Sequence, residues 1–241
     1  MASLFITGTD TNIGKTTVSR ALLQLLENHN ISIAPYKPIA CGNDDDKLIE
    51  PNNTNYSFEE HKDILILRSS CKGLLPHQKI NSYSFTGFSI PVFSALGKIH
   101  CIHIDNLNRD LAHLEHHYKN VIVEGTHGWL TPINAEYTFA DWIKLTEMSV
   151  LLVVGIQAGC VNKTLLTLNA IKQQNIKIVG WVANRINPGV RYYPELIELL
   201  KQKIDAPLLG ELPYIGRPEK RELFNYIQNP EPLLQYFSQS T

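Results

Sequence analysis

One stretch, Gly8-Thr9-Asp10-Thr11-Asn12-Ile13-Gly14-Lys15-Thr16-Thr17, constrains the fold of this chain more than any other. The apolar run Leu4-Phe5-Ile6 precedes it, and Val18, Ala21, Leu22, Leu25 and Leu26 follow at helical spacing. Strand, glycine-flanked loop, Gly-Lys-Thr and helix is the layout of a P-loop. In such a loop the backbone N–H groups and the positive helix terminus hold phosphates. Lys15 is then expected to reach the β/γ oxygens and the Thr16 hydroxyl to ligate Mg²⁺. A strict Walker A motif has glycine five residues before Gly14; Thr9 stands there, and Gly8 lies one place earlier.

With 241 residues the chain is long enough to bury a full core as one large domain or two small ones. A net charge of −1 gives no electrostatic reason to expect nucleic acid or an anionic membrane as partner. No apolar run approaches the roughly 20 residues of a membrane span. The N-terminus runs straight into a strand without the pattern of a leader. Cys41, Cys71, Cys101 and Cys160 are far apart and form no CxxC pair, so neither a zinc site nor a disulfide framework is indicated. Thiols in a reducing cytoplasm are the expectation.

Residues 31–36 read as a second strand, ending in Lys37-Pro38-Ile39-Ala40-Cys41-Gly42. In an open α/β sheet the carboxyl ends of the strands face the ligand crevice. Lys37 is therefore expected to point where Lys15 points, on a turn stiffened by Pro38; a solvated surface charge is the other reading of a lone lysine at a strand end. The polar stretch 43–57, with three consecutive aspartates, reads as a mobile loop whose acidic turn is solvated. Residues 61–67 look helical, with Asp63 on the more polar side. Tyr83-Ser84-Phe85 and residues 90–96 lead to a further helix over 107–118. There His113, His116 and His117 have metal-compatible spacing, but with Asp110, Glu115 and Lys119 they read as a solvated face.

A third strand, Val121-Ile122-Val123, ends in Glu124-Gly125-Thr126-His127-Gly128-Trp129. An apolar strand ending in an acid is where P-loop enzymes place a Mg²⁺-associated carboxylate. Residues 150–154 form a continuous apolar strand, followed by a turn through Gly159-Cys160 and a long helix from Val161. A strand over 178–183 ends at Asn184-Arg185; a helix over 193–203 and the run Leu208-Leu209-Gly210-Glu211-Leu212-Pro213 close the series. Strands alternating with helices at this spacing predict an α/β fold. It is a single P-loop NTPase-like domain over 1–241, with a mostly parallel central β-sheet and helices on both faces.

The assembled stretches resemble the dethiobiotin synthetase family over nearly the full length. The anchors are Gly8-Thr9-Asp10-Thr11 with Gly14-Lys15-Thr16, then Tyr36-Lys37-Pro38, then Val123-Glu124-Gly125 with Gly128-Trp129. Phe139-Ala140-Asp141-Trp142, Leu152-Val153-Val154-Gly155, Gly159-Cys160, Gly180-Trp181-Val182-Ala183-Asn184 and Ala206-Pro207-Leu208-Leu209-Gly210-Glu211 complete the ordered set.

The resemblance implies an ATP- and Mg²⁺-dependent homodimer that joins CO₂ to 7,8-diaminononanoate and closes a urea ring, giving dethiobiotin, ADP and phosphate. Asn12, Ile13, Gly14, Lys15, Thr16 and Thr17 would hold phosphates, with Lys15 and Lys37 catalytic. Thr16, Asp63 and Glu124 would ligate Mg²⁺. Asn184, Arg185, Pro213, Tyr214 and Ile215 would flank adenine, and Glu219 would make a further nucleotide contact. Thr11, Lys37, Cys41, Gly125, Thr126 and His127 would meet the diamine. Gly159, Cys160, Val161 and Asn162, far from their own P-loop, would serve the other subunit's site. Three departures stand out: Cys41 replaces a Ser or Thr, His127 a glycine, and Asn81-Ser82-Tyr83 an Asn-Pro-Tyr, with Phe88 at a later proline position.

A second class remains, the partition-type P-loop ATPase that cycles as a binding switch on DNA or membrane. Those proteins usually carry an extra lysine near the start of the loop, where this chain has Thr9, Asp10 and Thr11. A glutamine-dependent amide ligase would need an amidotransferase domain, for which this chain has no room. A purely structural homologue is at odds with Lys15, Lys37, Asp63 and Glu124 all being present.

Overall fold

In the computed structural model, residues 2–42, 61–74, 79–85, 90–94 and 102–238 are described. The acidic stretch 43–57, Phe88 and Cys101 lie outside them. Seven strands form one parallel sheet: β1 (Ala2–Gly8), β2 (Ala34–Cys41), β3 (Asn81–Phe85), β4 (Asn120–Glu124), β5 (Ser149–Gly155), β6 (Ile178–Asn184) and β7 (Leu208–Leu212). Their order is β3-β2-β4-β1-β5-β6-β7, with every pairing parallel. The helices are α1 (Lys15–Asn28), α2 (Lys62–Ser69), α3 (Pro91–Ser94), α4 (Ile104–Tyr118), α5 (Phe139–Leu145), α6 (Cys160–Gln173), α7 (Tyr193–Lys203) and α8 (Glu231–Ser238).

The period-2 alternation of a strand explains how both sheet faces are covered. On β5, Leu151 and Val153 join the larger core with residues of α1 and α8. Leu152 and Val154 face the other way, into a second core with Trp181, Ile197 and Leu200. All four are fully buried, which contributes about 1.5–3 kcal/mol per aliphatic side chain. Phe139-Ala140-Asp141-Trp142 now has a structural cause. Thr138 and Asp141 close a capping box that starts α5, and Trp142 lies edge-on to Phe5 with its indole N–H on Asn108.

Two expectations about strands need correcting. Residues 31–36 are not the whole second strand, because β2 runs on through Lys37 and Pro38 to Cys41. Its pairing with β4 stops at Tyr36↔Val123, while pairing with β3 carries on from Lys37↔Asn81 to Cys41↔Phe85. The Lys37 N–H bonds the Ile80 carbonyl on the β3 side, so the N–H that Pro38 lacks would face β4 where that ladder has already ended. A proline therefore fits inside this strand. The second correction is β3 itself, a short edge strand that makes Val121-Ile122-Val123 part of the fourth strand in the chain. Its Asn-Ser-Tyr-Ser-Phe sequence is too polar to signal a strand alone; Asn81 earns its place by donating to the Lys37 carbonyl at 2.7 Å.

Candidate active site

The carboxyl ends of β1, β2 and β4 converge on a cleft of about 280 Å³. Among its walls are Thr11, Asn12, Gly14, Lys15, Thr16, Thr17, Lys37, Cys41, Asp63, Glu124, Thr126, His127 and Glu219. Below the loop, Ile13 is buried and packs so close to Gly8 that a Cβ there would lie 2.5 Å from its Cδ1. That contact accounts for a glycine one place before the strict motif position. Gly14 has φ of +82°, and a Cβ on it would lie 2.1 Å from the Asn184 amide nitrogen. Asn184 donates from that nitrogen to the Ile13 carbonyl at 2.7 Å, pinning the loop to β6.

Lys37 and Glu124 stand one step beyond Tyr36↔Val123, where β2 and β4 part. Lys37 Nζ donates to Glu124 Oε1 at 2.7 Å and lies 3.2 Å from Asp63 Oδ2. The Thr16 hydroxyl donates to the same Glu124 oxygen at 2.7 Å. Burial alone would push the Lys37 ammonium down, but Glu124 and Asp63 outweigh it and hold Lys37 above the ordinary lysine value. Burial likewise pushes Asp63 up, and Lys37 reverses that, leaving its carboxyl below the usual range. Among the described residues no carboxylate lies so near Lys15; its Nζ donates to the Asp10 carbonyl at 2.9 Å. Burial, reinforced by the charge on Lys37, lowers Lys15 to about 8. Anionic phosphate oxygens would relieve that penalty.

Glu124 Oε2 is buried and has no hydrogen-bond partner among the described residues. Among the described residues there is no cluster of three His, Cys, Asp or Glu able to cage a metal by itself. Two carboxylates and one hydroxyl, all oxygen donors with one oxygen unspent, fit Mg²⁺, which is usually held by one or two carboxylates plus waters and substrate phosphates.

A family model described as an AAA domain matches residues 2–220. The chain is 57% identical to the ATP-dependent dethiobiotin synthetase BioD 1 of Haemophilus ducreyi, over 98% of this chain and 84% of that protein. It is 48% identical to the enzyme of the same name from Pasteurella multocida, covering 97% and 96% of the two chains. The chain belongs to the dethiobiotin synthetase family. As a member it is an enzyme. Fold-level likeness extends to the cell division ATPase MinD of Pyrococcus furiosus, with 14% identity, TM-score 0.56 and 98% and 99% coverage. It also extends to cobyrinic acid a,c-diamide synthase of Mycobacterium smegmatis, with 14% identity, TM-score 0.53 and 100% and 97% coverage.

The other residues that the dethiobiotin synthetase resemblance nominates fall into three groups. Gly125 sits under the cleft, where a Cβ would meet Phe5 at 2.5 Å, and the Thr126 hydroxyl donates to the Ile39 carbonyl. His127 has φ of +59°, an uncommon value for a non-glycine residue, and its Nδ1 is 3.0 Å from the Thr11 hydroxyl. Pro213, Tyr214 and Ile215 line a neighbouring groove with Lys220 and Tyr226, and the Arg185 guanidinium lies 4.8 Å over the Tyr193 ring.

Gly159, Cys160 and Val161 border a separate hollow with Arg191. Here the expectation that this end of α6 lies far from its own P-loop is wrong. Lys163, the residue after Asn162, forms an ion pair with Asp10. The cause is topological: β5 neighbours β1, so the helix after β5 begins beside the loop after β1.

Sequence reasoning missed Lys62, Ile66, Gly42 and Pro218 as cleft residues. Gly42, Lys62 and Pro218 each adjoin a nominated residue (Cys41, Asp63 and Glu219), which was the available signal; Ile66 had none and reaches the cleft because α2 is laid across it. His113, His116 and His117 are exposed, with the His117 ring centroid 4.4 Å from that of His113 and the two rings tilted at 50°. Cys41, Cys71 and Cys160 carry no disulfide. Among the described residues no helix is long and apolar enough to cross a membrane.

Proposed function

We propose that this protein is an ATP- and Mg²⁺-dependent dethiobiotin synthetase. It would join CO₂ to the vicinal amines of 7,8-diaminononanoate (7,8-diaminopelargonate) and release dethiobiotin, ADP and phosphate. The observation that carries the reading is the Lys37–Glu124–Asp63 group beside Lys15 and Thr16 at the head of one cleft.

One amine adds to CO₂, forming a C–N bond and losing a proton to leave a carbamate. Its oxygens share a negative charge, and oxide cannot leave from it. A carbamate oxygen therefore attacks the γ-phosphorus; that O–P bond forms as the bond to ADP breaks. The second amine attacks the carbonyl carbon of the resulting anhydride, phosphate leaves with the bridging oxygen, and a second proton departs as the ring closes. Phosphoryl transfer needs alignment and positive charge rather than covalent help. Lys15 supplies charge at the β/γ phosphates, and Lys37, on β2 with β4 between it and the P-loop strand, faces the γ-phosphate and the carbamate. When bound at Thr16, Asp63 and Glu124, Mg²⁺ would neutralise charge on the phosphate oxygens. Cys41, Thr11 and His127 form the wall left for the diamine.

The protein acts in this reading as one domain in the cytoplasm. It forms a homodimer in which Gly159, Cys160, Val161 and Asn162 at the start of α6 take the substrate carboxylate of the partner's site. Free N–H groups at a helix start favour an anion. ADP release that requires both diamine and bicarbonate tests the whole reading. ADP release stimulated instead by DNA or lipid vesicles without diamine would support a partition-type ATPase.

A further inference from the structure

The chain leaves the sheet at the end of β2 and returns at His61, which immediately precedes α2. His61 Nε2 lies 2.8 Å from the Cys41 carbonyl oxygen. A carbonyl can only accept, so Nε2 carries the hydrogen and Nδ1 keeps its lone pair. That lone pair accepts the Asp63 N–H at 3.4 Å, capping the first turn of α2. One ring thus spans two walls of the cleft. On one side is the strand that carries Lys37 and Cys41. On the other is the helix that carries Asp63, with Lys62 and Ile66 beside it.

Burial does not hold Asp63 in place, since its side chain is 27% exposed. Apart from its 3.2 Å contact with Lys37 Nζ, this carboxylate is placed by the first turn of an eight-residue helix. The remaining capping groups of α2 lie at its other end, on Ser70. The His61 contact to Cys41 also closes the chain on itself at the base of the 18 residues from 43 to 60, so it sets where α2 starts relative to β2.

We propose that His61 is a positioning residue with two separable tasks: its Nδ1 aims Asp63 at the metal, and its Nε2–H holds the Cys41 end of β2 against the diamine. The inference rests on the Mg²⁺ role given to Asp63 above. Asparagine separates the two tasks, because it is among the best helix N-caps yet is too short to reach the Cys41 carbonyl.

The test measures binding of a non-hydrolysable ATP analogue by calorimetry, with Mg²⁺ and with chelator, alongside the diamine KM. It uses wild type, His61→Asn and His61→Ala. In His61→Ala the Mg²⁺-dependent gain in affinity should shrink roughly tenfold, the scale on which groups orienting a metal ligand act, and the diamine KM should rise. His61→Asn should regain the Mg²⁺ effect and keep the raised diamine KM. The asparagine variant decides the matter even if the alanine variant does not fold. Recovery of both quantities, or of neither, in His61→Asn would overturn the inference, as would variants that match wild type. A wild type whose affinity ignores Mg²⁺ would instead contradict the metal assignment itself.

Discussion

Lys37 and Glu124 are the first residues past the point where β2 and β4 stop pairing, and they close the gap with a 2.7 Å ion pair. Glu124 is fully buried and Lys37 nearly so. Without nucleotide, the ammonium of Lys37 neutralises carboxylates that would otherwise stand uncompensated.

Lys37→Gln therefore has two expected effects. Turnover should fall by about 10² or more while ATP affinity stays nearly intact, because a charge stabiliser of the transition state is lost. Stability without ligand should fall by about 3–5 kcal/mol, the cost of leaving a buried carboxylate unpaired. Added Mg²⁺ should restore part of that loss in a thermal melt. A variant with near-normal turnover would contradict the role of Lys37.

Lys15 predicts proton uptake on ATP binding. Its value near 8 in the ligand-free protein means that phosphate, by favouring the ammonium, draws a proton from solvent. Calorimetry in buffers of differing ionisation enthalpy should show this uptake growing between pH 7 and 9. The sign for stability follows from the same shift. Lys15 is lowered from 10.5, so the unfolded chain binds more protons above pH 8, and this group makes stability rise with pH there. Lys37, shifted up, loses its contribution only above 10.5, and the raised Cys71 thiol acts in the opposite sense only above about 9. The window for Lys15 is therefore pH 8–9.

Gly125→Ala tests packing rather than chemistry. The added methyl would lie 2.5 Å from Phe5 Cζ and 3.3 Å from the Ile6 carbonyl oxygen, in a core with no room to give. A loss of about 1–3 kcal/mol in denaturant unfolding is expected.

Much of this architecture was legible because its signals are local. The P-loop, the apolar run at residues 150–154 and Glu124 at a strand end each declare themselves within a few residues. What escaped depends on partners far along the chain. β3 is a strand because Asn81 and its neighbours pair with the far end of β2, not because Asn-Ser-Tyr-Ser-Phe has strand composition. β2 runs through Pro38 because its β4 partner has already ended. The contact of Lys163 with Asp10 follows from β5 lying beside β1, a matter of strand order that no local pattern encodes.

His127 yields a prediction about substrate rather than nucleotide. Replacing it with glycine removes the Thr11 contact and relieves a left-handed backbone, so the fold should be kept. The diamine KM should change with little change in the ATP KM, and Cys41→Ser should tighten diamine binding or leave it unchanged. Equal shifts in both constants for His127→Gly would place the imidazole at the phosphates.

Shared sites predict complementation. Lys37→Ala and Val161→Pro, each crippled alone, should regain activity when mixed under conditions where subunits exchange. Proline near a helix start removes one N–H without breaking the helix, so Val161→Pro should remain folded. No recovery despite exchange confirmed by mass would contradict composite sites.

The most direct test follows an oxygen atom. With bicarbonate labelled by ¹³C and ¹⁸O in a short single turnover with diamine and ATP, the ring carbonyl of dethiobiotin should carry the ¹³C. One ¹⁸O should appear in the released phosphate, because the carbamate oxygen that attacks the γ-phosphorus leaves with it. Dethiobiotin formed with unlabelled phosphate, under conditions where bicarbonate has not exchanged with water, would contradict the anhydride. ADP released with no ¹³C-labelled product would contradict the synthetase reading altogether.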